Sequence, residues 1–130
     1  MDYTFEKHFS VEEANSLIPG LRKAFLEVQR LSREAHVRRD EEARALTRGG
    51  NGKKPRPMKS ETMTALANQI LNEIAGLGIV VQDWRRGLVD FPHILVDGEE
   101  VFLCYQLSDG ENVRFFHELD SGYGGRKPLE

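Results

Sequence analysis

Apolar residues recur at every third or fourth position from Ala14 through Leu17, Ile18, Leu21, Phe25 and Val28 to Leu31. That period gathers them into one stripe and predicts an amphipathic helix over residues 11–46. Ser10 and Glu13 read as a capping box at its start. Pro19 falls inside the stripe and predicts a kink, because it removes one backbone hydrogen bond and crowds the preceding turn. A second stripe, formed by Met63, Leu66, Ala67, Ile70, Leu71 and Ile74, predicts a helix over residues 60–77, with Gly76 and Gly78 at its end. Residues 48–57 hold three glycines and two prolines and read as a flexible linker. Two striped helices joined in this way pack as an antiparallel hairpin. The first is about twice as long as the second, so part of it projects or meets a partner chain in a coiled-coil manner.

After Gly78 the period falls to two. Four strands are predicted, at 79–82, 88–96, 101–107 and 113–119. Asp97-Gly98 and Asp109-Gly110 each separate two apolar runs, a strong hairpin signal. The expected fold is α+β, with a kinked helical hairpin on a four-stranded antiparallel meander and a glycine-rich tail over 120–130. All 130 residues then form one domain.

Two-residue loops at both Asp-Gly sites set a register. Phe91, Cys104 and Phe115 then lie in one row, and His93, Phe102 and His117 in the next, all on one sheet face. Asp90, Tyr105 and Arg114 form a row on the other face, followed by Pro92, Leu103 and Phe116. Both faces are largely apolar, so the face away from the hairpin calls for cover by the projecting helix or another subunit. A homo-oligomer is therefore expected, with the first helix as a surface for a protein partner.

Composition narrows the function classes. Lys plus Arg number 18 and Asp plus Glu 21, a net charge of −3 that argues against a general nucleic-acid binder. The single cysteine excludes an intramolecular disulfide framework and a four-cysteine zinc module. No stretch has the length and apolarity of a signal peptide or a membrane span, so a cytoplasmic protein is expected.

Candidate chemistry is concentrated in the strand half. His93, Cys104 and His117 share a face in the predicted register, which raises a zinc site as one reading. Cys104 activated by His117 as a nucleophile is another. The plain reading is a core cysteine flanked by hydrogen-bonded histidines, sealed by Phe91, Phe102 and Phe115. Asp90 is a further catalytic candidate, although an ion pair with Arg114 is the plainer role for it. In the tail, the amides of Gly124 and Gly125 with Arg126 form a candidate anion-binding nest; a tight turn is the plainer reading.

Several of these segments are similar to those of a known family. Phe9-Ser10-Val11-Glu12-Glu13-Ala14-Asn15 with Leu17-Ile18-Pro19, then Gly87-Leu88-Val89-Asp90-Phe91-Pro92, Leu103-Cys104-Tyr105, Phe116-His117 and Gly122-Tyr123-Gly124-Gly125-Arg126 follow in the right order. In these the chain resembles a family of small bacterial proteins known as domain of unknown function 2203. Tyr105 and Phe116 stand where that family often has Trp. The resemblance covers nearly the whole chain apart from the linker. It implies that Asp90, Cys104, His117 and Arg126 belong to the characteristic part of the fold, and it carries no activity with it.

Three functional readings follow. The first is a non-enzymatic oligomeric protein acting through interaction surfaces. The second is a small metal-binding protein or enzyme using Cys104 and His117. The third is a nucleic-acid-associated factor using Arg38, Arg39, Arg44, Arg48 and the linker cations Lys53, Lys54 and Arg56; this is the least expected, given the charge balance.

Overall fold

The computed structural model describes residues 2–48 and 58–129. Two helices, α1 (Val11–Arg48) and α2 (Ser60–Gly76), precede five strands. The strands are β1 (Val80–Asp83), β2 (Leu88–Ile94), β3 (Glu100–Tyr105), β4 (Phe115–Glu118) and β5 (Lys127–Pro128), in sheet order β1-β2-β3-β4-β5. Every neighbouring pair is antiparallel. The fold is α+β as expected, with five strands rather than four. The fifth strand escapes sequence reading because two residues, one of them Pro128, carry no periodicity. Residues 49–57 of the expected linker lie outside the described residues.

The capping box at the start of α1 is present. The Glu13 N–H donates to Ser10 Oγ, and the Ser10 N–H donates to the Glu13 carboxylate, both at 3.0 Å. The helix continues through Pro19 to Arg48. Its buried stripe serves two partners in succession. Ala14, Ile18, Leu21 and Phe25 pack with Val89, Phe91, Leu103 and Tyr105 of the sheet. Val28, Leu31 and Ala35 pack with Met63 and Ala67 of α2. Much of the extra length of α1 is therefore used inside the chain. Each fully buried Val, Leu, Ile or Phe side chain contributes on the order of 1.5–3 kcal/mol of transfer free energy. The start of α2 has no side-chain cap from Lys59. Glu42 of α1 takes that part instead, accepting from the Ser60 N–H at 3.1 Å and from its hydroxyl at 2.6 Å.

The β2–β3 register differs from expectation by one residue. Leu95 and Glu99 bracket a three-residue loop: the Leu95 N–H donates to the Glu99 carbonyl at 2.9 Å and the Gly98 N–H to the Leu95 carbonyl at 2.8 Å. Gly98 takes φ of 92°, the left-handed position that this loop requires and that glycine fills without a Cβ clash. Asp90 therefore faces Cys104, and His93 faces Val101. A one-residue slip reverses every side chain of a strand. Asp90 moves to the face of Cys104, while Phe91 and His93 move to the helix-covered face.

The β3–β4 register is as expected, with Cys104 opposite Phe115 and Phe102 opposite His117. The connection is longer than a two-residue turn, however: it carries a single 3₁₀ turn at Leu107–Asp109. Arg22 of α1 ties it down by donating to the Tyr105 hydroxyl and to the carbonyls of Leu107 and Gly110, at 2.9–3.1 Å. Arg114 is exposed and precedes β4, so the expected pair with Asp90 is not formed.

The face away from the helices receives cover from the same chain. Phe5 packs edge-on against Phe102, with ring centroids 5.2 Å apart. Glu100 anchors that N-terminal segment, accepting from the Thr4 N–H at 2.8 Å, the Phe5 N–H at 3.0 Å and His8 Nε2 at 2.7 Å. Burial works against ionisation of Glu100. The hydrogen bonds from His8, Thr4 and Phe5 outweigh it and hold the carboxyl at about 2. Among the described residues, no helix is long and apolar enough to cross a membrane.

Candidate functional site

Three adjacent strands place Asp90, Cys104 and His117 together. Asp90 on β2 lies directly opposite Cys104 on β3. His117 on β4 sits one row along, opposite Phe102 and diagonal to Cys104. All three side chains are buried. A carboxylate oxygen, the Cys104 sulfur and a His117 ring nitrogen all lie within 4.8 Å of one another.

The hydrogen bonds define the state of the imidazole. His117 Nδ1 lies 2.8 Å from the carbonyl oxygen of Glu118. A carbonyl only accepts, so Nδ1 carries a proton and donates it. Nε2 then faces Asp90 Oδ1 at 3.0 Å. A carboxylate oxygen and a ring nitrogen at this distance share one proton between them. The other carboxylate oxygen of Asp90 accepts from Gln82 Nε2 at 2.9 Å. Gln82 lies at the irregularity in the β1–β2 pairing between Val81 and Asp83. Each polar group thus has a fixed partner, which orients the donor atoms.

Cys104 is a protonated thiol in this setting. Burial, reinforced by the neighbouring Asp90 charge, pushes it up to about 12. The nucleophile reading needs a thiolate near neutrality, and this environment works against one.

One side of the cluster opens onto a cavity of about 250 Å³. Leu88, Phe102 and Leu119 line it with Gln82, Ser121 and Tyr123. The wall Leu119–Tyr123 belongs to the tail, which is held in place by aromatic and cationic side chains. Tyr123 stands between two guanidinium groups, those of Arg86 at 4.5 Å and Arg126 at 4.7 Å from its ring centroid. Its hydroxyl accepts from Gln106 Nε2 at 2.9 Å, and Arg86 donates to Gln106 Oε1 at 2.7 Å.

The remaining sequence candidates are placed elsewhere. His93 is on the opposite face, with Nδ1 donating to the Phe9 carbonyl at 2.6 Å, and does not join Cys104 and His117. Arg126 donates to Asp109 at 2.7 Å and stacks on Phe115, 3.8 Å from its centroid. Gly124 and Gly125 form a single 3₁₀ turn with Tyr123. The amides of Gly125 and Arg126 donate to the carbonyls of Gly122 and Tyr123. Arg126, Gly124 and Gly125 thus make an internal turn closed by an ion pair. Sequence reasoning missed Gln82. Its one signal is a polar residue at the end of the apolar run from Ile79 to Val81.

A family model described as an uncharacterized conserved protein, DUF2203, matches residues 7–129. The chain belongs to that family. No curated protein matches it. No solved structure matches it.

Proposed function

We propose that this member of the DUF2203 family is a small metalloprotein that binds one divalent transition-metal ion through Asp90, Cys104 and His117. The observation that carries this reading is the convergence of three buried donor atoms of different chemistry, within 4.8 Å of one another, beside an accessible cavity. A thiolate, an imidazole nitrogen and a carboxylate oxygen suit zinc, which takes tetrahedral nitrogen and sulfur ligands and accepts carboxylate oxygen. The orientation of His117 supports it. With Nδ1 donating to the Glu118 carbonyl, Nε2 is the ligating atom, in the arrangement usual for metal-bound histidine. Gln82 plays the same part for Asp90. Metal binding replaces the thiol proton and the proton shared by His117 and Asp90.

Elemental analysis of untagged, full-length protein tests this. About one equivalent of metal is expected in the wild type, with loss of most of it in Cys104→Ser and His117→Ala. Metal-free wild-type protein that takes up none on addition of zinc contradicts the reading.

Self-association through α1 is the second reading, and one observation favours it. Leu26, Val37 and Leu46 on that helix are large apolar side chains exposed to solvent. Light scattering at micromolar concentration checks it, and a mass equal to the 14.8 kDa of one chain contradicts it.

A further inference from the structure

The three donors leave one side of the cluster open, and that side faces the cavity between β1–β4 and the tail. A tetrahedral ion with three protein ligands keeps a fourth position for an exogenous molecule. The charges around that position then select the molecule. A dication is balanced by the Asp90 carboxylate and the Cys104 thiolate, while His117 binds as a neutral imidazole. The loaded centre has no net charge. Among the described residues no Lys or Arg lines the cavity. The two guanidinium groups that lie over the Tyr123 ring are engaged away from the cavity, Arg126 in an ion pair with Asp109 and Arg86 in a hydrogen bond to Gln106 Oε1. The polar wall consists of neutral groups, the Gln82 amide and the Ser121 hydroxyl, set among Leu88, Phe102 and Leu119. A phosphate or dicarboxylate finds no counter-charge here, and its desolvation goes uncompensated. A volume of about 250 Å³ is below the range usual for drug-sized ligands, roughly 300–1,000 Å³.

We infer that the cavity bounded by Leu88, Phe102, Leu119 and Ser121 admits a small uncharged Lewis base, an alcohol or carbonyl compound being the natural class, which replaces water on a metal held by Asp90, Cys104 and His117. This rests on the metal-binding reading above, and the cavity and its charge balance carry it further. The wall Leu119–Tyr123 sets the size limit, and Leu119 is the residue whose enlargement closes the space.

The test uses full-length protein loaded with cobalt(II), whose visible spectrum reports its ligands. Dimethyl sulfoxide and imidazole are the uncharged probes, and inorganic phosphate is the charged control. Each uncharged probe is expected to shift the visible bands saturably, and phosphate at tenfold higher concentration is expected to leave them unchanged. Leu119→Trp is expected to retain the thiolate-to-cobalt band and to weaken the response to both probes at least tenfold. Ser121→Leu narrows the same cavity and serves as the second variant. Bands that ignore every probe overturn the inference, with the metal site intact. A shift by phosphate alone overturns the charge argument, and an undiminished response in both variants overturns the assigned cavity. Absence of any thiolate-to-cobalt band removes the metal reading itself, and this inference with it.

Discussion

Asp90 Oδ1 lies 3.0 Å from Nε2 of His117, reaching across β3 from the strand on its other side. Each side chain is 3% exposed, so the pair is shielded from solvent. Removing either partner leaves a buried polar atom of the other without its hydrogen bond. Asp90→Asn is expected to cost about 3–5 kcal/mol of stability, the range seen when one partner of a buried pair is removed. Urea unfolding with a linear extrapolation measures this. A loss under 1 kcal/mol shows that the pair contributes little to folding.

Cys104 is expected to be unreactive in the folded, metal-free chain. Its thiol stands at about 12, so a negligible fraction is thiolate at pH 8. Labelling by a disulfide reagent should therefore follow unfolding, accelerating through the denaturant transition. Rapid labelling of native protein at pH 8 contradicts the burial and the electrostatics together.

The helical half of the molecule was legible because its signals are local. Ser10 and Glu13 are three residues apart, and the stripe from Ala14 to Leu31 needs only the helical period. The sheet was legible up to its registers. At Asp109-Gly110 the longer connection preserves the pairing of Cys104 with Phe115 that a two-residue turn implies. At Asp97-Gly98 the same dipeptide occupies a three-residue loop, and the count shifts by one. Asp-Gly marks a hairpin but does not state its length, and one residue separates a His93-containing cluster from an Asp90-containing one. The cover over the second sheet face was not legible. It comes from Phe5 and from Leu119–Tyr123, whose docking depends on contacts distant in sequence.

Glu100 makes stability depend on acidity. Its folded value, about 2, lies below the ordinary 4.5. The contribution is fully present above about pH 4.5 and is lost as pH falls toward 2, because the unfolded chain binds the proton first. Urea midpoints measured from pH 6 to pH 2.5 are expected to fall through this window. In Glu100→Gln, the fall should be shallower and the starting midpoint lower, since the anchor for Thr4 and Phe5 is weakened. Identical acid limbs in the two proteins contradict the assignment.

Gly87 and Gly98 separate backbone strain from crowding. Both have positive φ, 60° and 92°. A Cβ on Gly87 would lie 2.5 Å from Leu107 Cγ, whereas one on Gly98 meets nothing within 4 Å. Gly98→Ala is expected to cost about 1–2 kcal/mol for the left-handed conformation alone. Gly87→Ala adds an overpacking cost of roughly 1–3 kcal/mol. Thermal melts of the two variants check the order, and equal losses contradict the contact with Leu107.

Calorimetric titration of zinc into metal-free protein, beside Cys104→Ser and His117→Ala, addresses the metal site itself. One saturable binding event per wild-type chain is expected, with at least a hundredfold weaker binding in each variant. Heats no greater than those of dilution in the wild type, or equal affinity in all three proteins, contradict metal binding by Asp90, Cys104 and His117.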